Sequence, residues 1–122
     1  MKKVLFIEDE QALQGAVKTF LESNGFSVFS AFDGEMGIAL ARSEKPDLIL
    51  LDLILPKVNG FEVLDILLKE ETTNKIPVIV LTNLEGSADV EKALSLGART
   101  YLVKSNYNLE DILSKVKNIF EK

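Results

Sequence analysis

Histidine, cysteine and tryptophan are all absent from this sequence. Without cysteine there are no disulfides and no thiol chemistry, a composition compatible with a reducing cytoplasm. Without histidine the chain cannot build a Ser-His-Asp triad, a histidine-ligated metal site or a phosphohistidine of its own. Any metal must then be a hard ion held by oxygen, such as Mg²⁺. Long apolar runs are missing too. The longest, Leu48 to Leu55, is broken by Asp52, so no segment approaches a membrane span. Met1-Lys2-Lys3 leads straight into a strand-like run with no small-residue cleavage site, which reads as no signal peptide. Positive charge is in deficit: 14 basic against 19 acidic residues give a net charge of −5. Direct nucleic-acid binding needs a clustered basic footprint and is disfavoured.

What is present is enough for one domain. The 122 residues, 47% of them hydrophobic, suit a single well-filled core over residues 1–122. Extended and helical periodicities alternate along the chain. Val4 to Ile7 reads as a first strand. Leu13, Ala16, Val17, Phe20 and Leu21 then form one helical face, ended by Asn24-Gly25. A second strand is expected over residues 26–31, and a helix from Asp33-Gly34 to about Ser43. Gly37 inside that helix costs about 1 kcal/mol relative to Ala; nothing in the sequence explains it, and close packing on a neighbour is one guess. A third strand over residues 47–52 runs into the loop 55–60. Helix over 60–71 follows, with Phe61, Leu64, Leu67 and Leu68 inward. Then come strand over 76–82, helix over 87–96 ending at Gly97, and strand over 99–103. The last helix is capped by Asn108, with Asp111 completing a capping box, and carries an inward stripe of Leu109, Ile112, Val116, Ile119 and Phe120.

The order is (βα)₅. Such alternation with short links implies a parallel sheet covered on both faces. Five units are too few for an eight-fold barrel, so an α/β fold with an open doubly wound sheet is expected. In the common strand order 2-1-3-4-5, the binding crevice lies beyond the carboxyl ends of strands 1 and 3.

Four strand ends carry chemistry. The first runs into Glu8-Asp9, the third into Asp52, the fourth into Thr82 and the fifth into Lys104. Parallel strands place all of these on one rim. Each has an ordinary reading by itself. Glu8-Asp9-Glu10 suits a helix N-terminus. Thr82 suits a strand end, Lys104 a solvated end, and Tyr101 a core position with its hydroxyl at the edge. Asp52 is harder to explain that way, because charged residues are rarely buried unless paired. Together they look like a place where a metal ion and a phosphoryl group meet a carboxylate nucleophile. Three crowded carboxylates repel one another, and Lys104 alone cannot balance them.

Phe6-Ile7-Glu8-Asp9-Glu10, Leu50 to Pro56 with Asn59-Gly60, Val80-Leu81-Thr82 and Tyr101-Leu102-Val103-Lys104 resemble the receiver domain of two-component response regulators, of the single-domain type. The likeness spans the whole chain, with the motifs on successive strand ends in order. It implies the flavodoxin-like receiver fold and Asp52 as phosphoacceptor, taking a phosphoryl group from a partner histidine kinase, a histidine phosphotransfer protein or a small phosphodonor. It implies Mg²⁺ held by Asp9 and Asp52, the Ile54 backbone carbonyl, and Glu8 directly or through water. Lys104 is then expected to pair with Asp52 and later with a phosphoryl oxygen. Thr82 binds another oxygen, and Tyr101 changes rotamer to alter the surface of the fourth helix, fifth strand and fifth helix for a downstream protein. The protein is expected to be a cytoplasmic switch with no nucleic-acid or membrane contact of its own. It is not an enzyme beyond self-catalysed phosphoryl acceptance and slow autodephosphorylation.

Three positions depart from the family pattern: Glu8 in place of an aspartate, Asn83 where a small residue is common, and Ser105 where proline follows the lysine. A cis bond to a non-proline residue costs about 3 kcal/mol, so the loop after strand five is either trans and rearranged or strained. Ile54 and Leu84, two residues beyond Asp52 and Thr82, are aliphatic and cannot orient a water, which predicts slow loss of the phosphoryl group. The departures keep a phosphorylation-independent interaction module as an alternative. A flavodoxin-type nucleotide site fits poorly, because Glu8-Asp9-Glu10-Gln11 repels phosphate. An aspartyl phosphatase would need an acid/base carboxylate where Ile54 stands. A stand-alone regulator and a piece of a longer one both fit the chain.

Overall fold

The computed structural model describes residues 1–121. Five strands and five helices alternate: β1 Lys3–Ile7, α1 Gln11–Ser23, β2 Ser27–Ala31, α2 Gly34–Glu44, β3 Leu48–Leu51, α3 Gly60–Lys69, β4 Val78–Thr82, α4 Ser87–Leu96, β5 Thr100–Val103 and α5 Leu109–Phe120. All strand pairs are parallel and the sheet order is β2-β1-β3-β4-β5. The expected α/β doubly wound sheet is therefore the observed one.

The two-residue period of a strand decides which helices each face meets. Val4 and Phe6 of β1, Leu48 and Leu50 of β3, and Ile79 and Leu81 of β4 join Val17, Leu21, Ile112 and Val116 in a core under α1 and α5. The alternate residues Leu5, Ile7, Ile49, Leu51, Val78 and Val80 join Ile38, Val63, Leu64, Leu67 and Ala93 under α2, α3 and α4. A Leu, Ile, Val or Phe buried this fully contributes about 1.5–3 kcal/mol, so the three central strands anchor the domain from both sides.

Side-chain caps fix where three helices begin. Asp33 accepts from the Met36 amide at 2.8 Å, and Asn59 accepts from the Glu62 amide at 3.1 Å. Asn108 and Asp111 exchange bonds in the expected capping box. β1 starts one residue earlier than its apolar run suggests, at Lys3, and β2 to β5 start one or two residues later. The Phe26 amide is taken by Leu21 at the end of α1, and Pro77 has no N–H to give a ladder, so β4 begins at Val78. Helix α3 stops at Lys69 rather than residue 71, because the Thr73 hydroxyl donates to the Leu67 carbonyl at 2.6 Å and turns the chain.

One helical face differs from its expected composition. Ala16 is exposed, and Gln14 is buried beside Val17 and Leu21. Ala16 shares the edge of the stripe with the half-buried Leu13 and Phe20, where a long side chain reaches back to the core and a methyl does not. Gly37 is explained by proximity: a Cβ there would lie 2.6 Å from Ile7 Cδ1. This glycine lets α2 sit directly on β1, the strand that delivers Glu8 and Asp9.

Candidate functional site

The carboxyl ends of β1, β3, β4 and β5 form one rim, as parallel pairing requires. At β1, the Glu8 amide donates to Ala31 O at 2.9 Å, carrying the ladder one residue past the strand. The Glu8 side chain turns inward and is 1% exposed, whereas Asp9 is exposed. At β3, the Asp52 amide donates to Ile7 O at 3.0 Å, and Asp52 is 3% exposed. Gly60 closes the loop behind it. Its amide donates to Leu53 O at 2.9 Å, and a Cβ there would lie 2.2 Å from Leu53 Cα and 2.5 Å from Asp52 O. Only glycine allows this approach, so the loop packs on the backbone that aims Asp52.

Carboxylate oxygens of Glu8, Asp9 and Asp52 lie within 4.8 Å of one another. Lys104 enters from the end of β5. Its Nζ donates to Asp52 Oδ2 at 3.0 Å and lies 2.6 Å from Glu8 Oε1. The second contact is a close ion pair, and it is the contact the described residues offer that buried Glu8 oxygen. The other oxygens are held by backbone: the Ile54 amide donates to Asp52 Oδ1 at 3.2 Å, and the Glu10 amide to Glu8 Oε2 at 3.1 Å.

Charge is not balanced here. Three carboxylates face one ammonium. Burial pushes the Glu8 carboxyl above its ordinary range, and the Asp52 charge adds to this, against the opposing effects of Lys104 and the Glu10 amide. Burial acts to lower the Lys104 pKa, but its contacts with Glu8 and Asp52 outweigh it and hold the ammonium above its ordinary value. Clustered hard oxygen donors and surplus negative charge suit a small divalent cation such as Mg²⁺.

Glu8, Asp9, Asp52 and Lys104 come together, with some altered contacts. Lys104 pairs with Glu8 as well as Asp52, because the longer Glu8 side chain reaches it. Ile54 meets Asp52 through its amide, and its side chain is exposed. Thr82 is fully buried, and its hydroxyl accepts a long contact from the Leu84 amide at 3.5 Å. The half-buried Tyr101 donates its hydroxyl to Leu84 O at 2.8 Å, tying β5 to the loop that leaves β4. Burial raises its pKa, helped by the charges of Asp89 and Asp52. No described peptide bond is cis; the chain leaves β5 through a 3₁₀ turn at Lys104–Asn106. Glu8-Asp9-Glu10 do not serve as first-turn charges of α1, since that turn holds no acidic residue and Glu10 caps without its side chain.

Residues 4–117 match the family model described as the response regulator receiver domain. This chain belongs to that family. The receiver domain is 38% identical over 104 residues to protein PilH of Pseudomonas aeruginosa, covering 85% of this chain and 86% of PilH. It is 40% identical over 122 residues to the DNA-binding dual master transcriptional regulator RpaA of Synechocystis, covering all of this chain and 50% of RpaA. The Mn²⁺-bound form of response regulator Rcp1 superposes with a TM-score of 0.80 at 33% identity, covering 98% of this chain and 91% of that one. The receiver domain spans about half the length of most curated relatives it matches. Among the described residues no helix is long and apolar enough to cross a membrane.

Sequence reasoning did not single out Gln14. Its spacing of three and seven residues from Val17 and Leu21, on an otherwise apolar stripe, was the available signal.

Proposed function

We propose that this receiver domain accepts a phosphoryl group on Asp52 and that the modified site changes the face formed by α4, β5 and α5. The observation that carries the reading is the convergence of Lys104 with Glu8, Asp9 and Asp52 around a nearly buried carboxylate whose two oxygens are already oriented.

An Asp52 oxygen attacks the phosphorus of a phosphohistidine on a histidine kinase or phosphotransfer protein. The P–N bond breaks as the new O–P bond forms, and the imidazole leaves with the bond's electron pair. Most of the catalytic work in such a transfer is positioning and neutralisation of charge on the equatorial oxygens. Glu8, Asp9, Asp52 and the Ile54 carbonyl would hold Mg²⁺, which would supply positive charge to offset the charge of the transferring group. The Mn²⁺-bound form of Rcp1 supports a divalent ion in such a domain. Lys104 lies beside the reacting carboxylate and can follow the charge onto the phosphoryl group. The Thr82 hydroxyl, at the end of β4, bonds a second oxygen. Its shift draws on the loop at Leu84, to which Tyr101 is tied, and so carries the change to the docking face of a downstream protein.

Ile54 and Leu84 offer no group to orient an attacking water, so the acyl phosphate is slow to hydrolyse. A lifetime of seconds in Mg²⁺ without a phosphatase would count against this. The reading places the protein in the cytoplasm, within reach of a kinase, with no direct role on nucleic acid or membrane. The main test is mass spectrometry after incubation with acetyl phosphate and Mg²⁺. The native chain should gain one phosphoryl mass and Asp52→Asn none. A native chain that gains nothing supports instead a phosphorylation-independent interaction module, in which the Lys104 pairs with Glu8 and Asp52 serve only the fold.

A further inference from the structure

We infer that Gln14 is a positioning residue for the acidic turn, holding the backbone that aims Glu8 and Asp9 at the metal. The inference rests on the metal reading of the site proposed above.

Gln14 lies on the inward face of α1 and is 2% exposed. Its Nε2 lies 2.8 Å from Phe6 O, 3.1 Å from Glu8 O and 2.9 Å from Ala31 O. Those carbonyls belong to the end of β1, the acidic turn and the end of β2. Ala31 O also accepts the Glu8 amide at 2.9 Å. Both backbone groups of Glu8 therefore meet one hub: its N–H reaches Ala31 O, and its carbonyl shares the Gln14 amide with that same oxygen.

An apolar side chain would fill this position on the Val17–Leu21 stripe without burying an amide. Gln14 Oε1 is buried and accepts no hydrogen bond from the described residues, so the Nε2 end carries the side chain's contacts. Its orientation is still fixed, because a flipped amide would point oxygen at three carbonyl oxygens. A buried amide on an otherwise apolar stripe is explained by what its donor holds. Glu8 and Asp9 follow β1 with no side-chain cap to steady the entry to α1, and Gln14 is the side-chain brace from that helix to their backbone. Groups that orient metal ligands typically change metal affinity 10–100-fold when removed.

The test is calorimetric Mg²⁺ titration of the native chain, Gln14→Met and Val17→Ala, with amide hydrogen exchange on each. Val17→Ala is the control: it opens a cavity on the same helix face without touching the three carbonyls. The expected result is Mg²⁺ affinity at least about tenfold weaker in Gln14→Met, with faster exchange at the Glu8 and Glu10 amides. Val17→Ala should melt lower but bind Mg²⁺ as the native chain does. If Gln14→Met does not fold, Gln14→Asn carries the same expectation, since it keeps the amide but is one methylene too short to reach all three carbonyls. Native-like affinity in the Gln14 variant, or equal losses in both variants, overturns the inference alone. A native chain that binds no Mg²⁺ overturns the metal reading and the inference with it.

Discussion

Replacing Lys104 with Met removes the ammonium and keeps most of the side-chain volume. Glu8 and Asp52 then face each other with 1% and 3% exposure and no cation between them. Removing one partner of a buried ion pair costs about 3–5 kcal/mol, because the remaining charge is left uncompensated. The folded chain can relieve part of this by protonating Glu8, so the lower figure applies at neutral pH. For 122 residues, an unfolding entropy of about 2.1 cal/mol/K per residue makes 1 kcal/mol worth about 4 °C, so Lys104→Met should melt about 12 °C lower at pH 7 in a chelator. Two dependences separate this mechanism from loss of packing. Glu8 already has a raised pKa, so between 4.5 and that raised value the folded chain holds a proton that the unfolded chain has released. Stability therefore falls as pH rises through this window. Without Lys104 the window extends upward, and the gap between the two proteins should narrow as pH approaches 4.5. Millimolar Mg²⁺ should also raise the melting temperature of Lys104→Met more than that of the native chain, because it supplies the missing positive charge. Thermal unfolding by circular dichroism, at several pH values with and without Mg²⁺, reads all three. A pH-independent difference that Mg²⁺ does not reduce would refute the electrostatic account.

Other substitutions divide stability from site chemistry. Glu8→Gln removes a carboxylate that burial disfavours, so it should raise stability at pH 7 by about 1 kcal/mol in urea melts while weakening Mg²⁺ binding in calorimetry. Gly60→Ala places a Cβ against the Asp52 and Leu53 backbone, which cannot give way as a side chain can; a loss of about 1–3 kcal/mol is expected in urea, with slower phosphorylation by acetyl phosphate. Gly37→Ala meets the buried Ile7 side chain, at Cδ1 and both γ carbons, rather than backbone, and should cost less in the same assay. The Lys104 pKa is raised above 10.5, so its ion pairs contribute fully below that value and are lost as pH rises through the raised one. An alkaline titration should therefore show Lys104→Met and native stabilities converging.

The strand ends were legible because parallel topology follows from strand-helix alternation, and each apolar run stops at a polar residue. Asp52 announced itself by interrupting a run otherwise fit for the core. The capping box at Asn108 and Asp111 was readable because a cap is a local contact within four residues. The Gly37 contact was not readable, since it depends on α2 crossing β1 at Ile7, a meeting of residues thirty positions apart in sequence. The Lys104 pair with Glu8 was hidden for a related reason. The resemblance directed Lys104 to Asp52, and only the reach of a glutamate side chain from β1 brings the second carboxylate to the same ammonium. Gln14 escaped because periodicity sorts apolar from polar, and a glutamine on the apolar stripe reads as an interruption rather than a brace.

These contacts make the site a place where charge is left over by construction. Glu8 and Asp52 are buried, and the one ammonium between them is committed to both. Aspartate at position 8 would shorten the reach to Lys104 and free the ammonium to serve Asp52 alone. With glutamate, any contact of Lys104 with a phosphoryl oxygen in the proposed transfer would compete with Glu8 as well as with Asp52. Glu8 and Asp52 are also the carboxylates that would hold a divalent ion, whose positive charge would offset their hold on Lys104. On the proposed phosphoacceptor reading, Glu8 would couple metal binding to the release of Lys104 more strongly than an aspartate would. Glu8→Asp should make phosphorylation by acetyl phosphate less steeply dependent on Mg²⁺ concentration, as read from initial rates across a titration. An unchanged dependence would show that the Glu8 pair plays no part in holding the ammonium back.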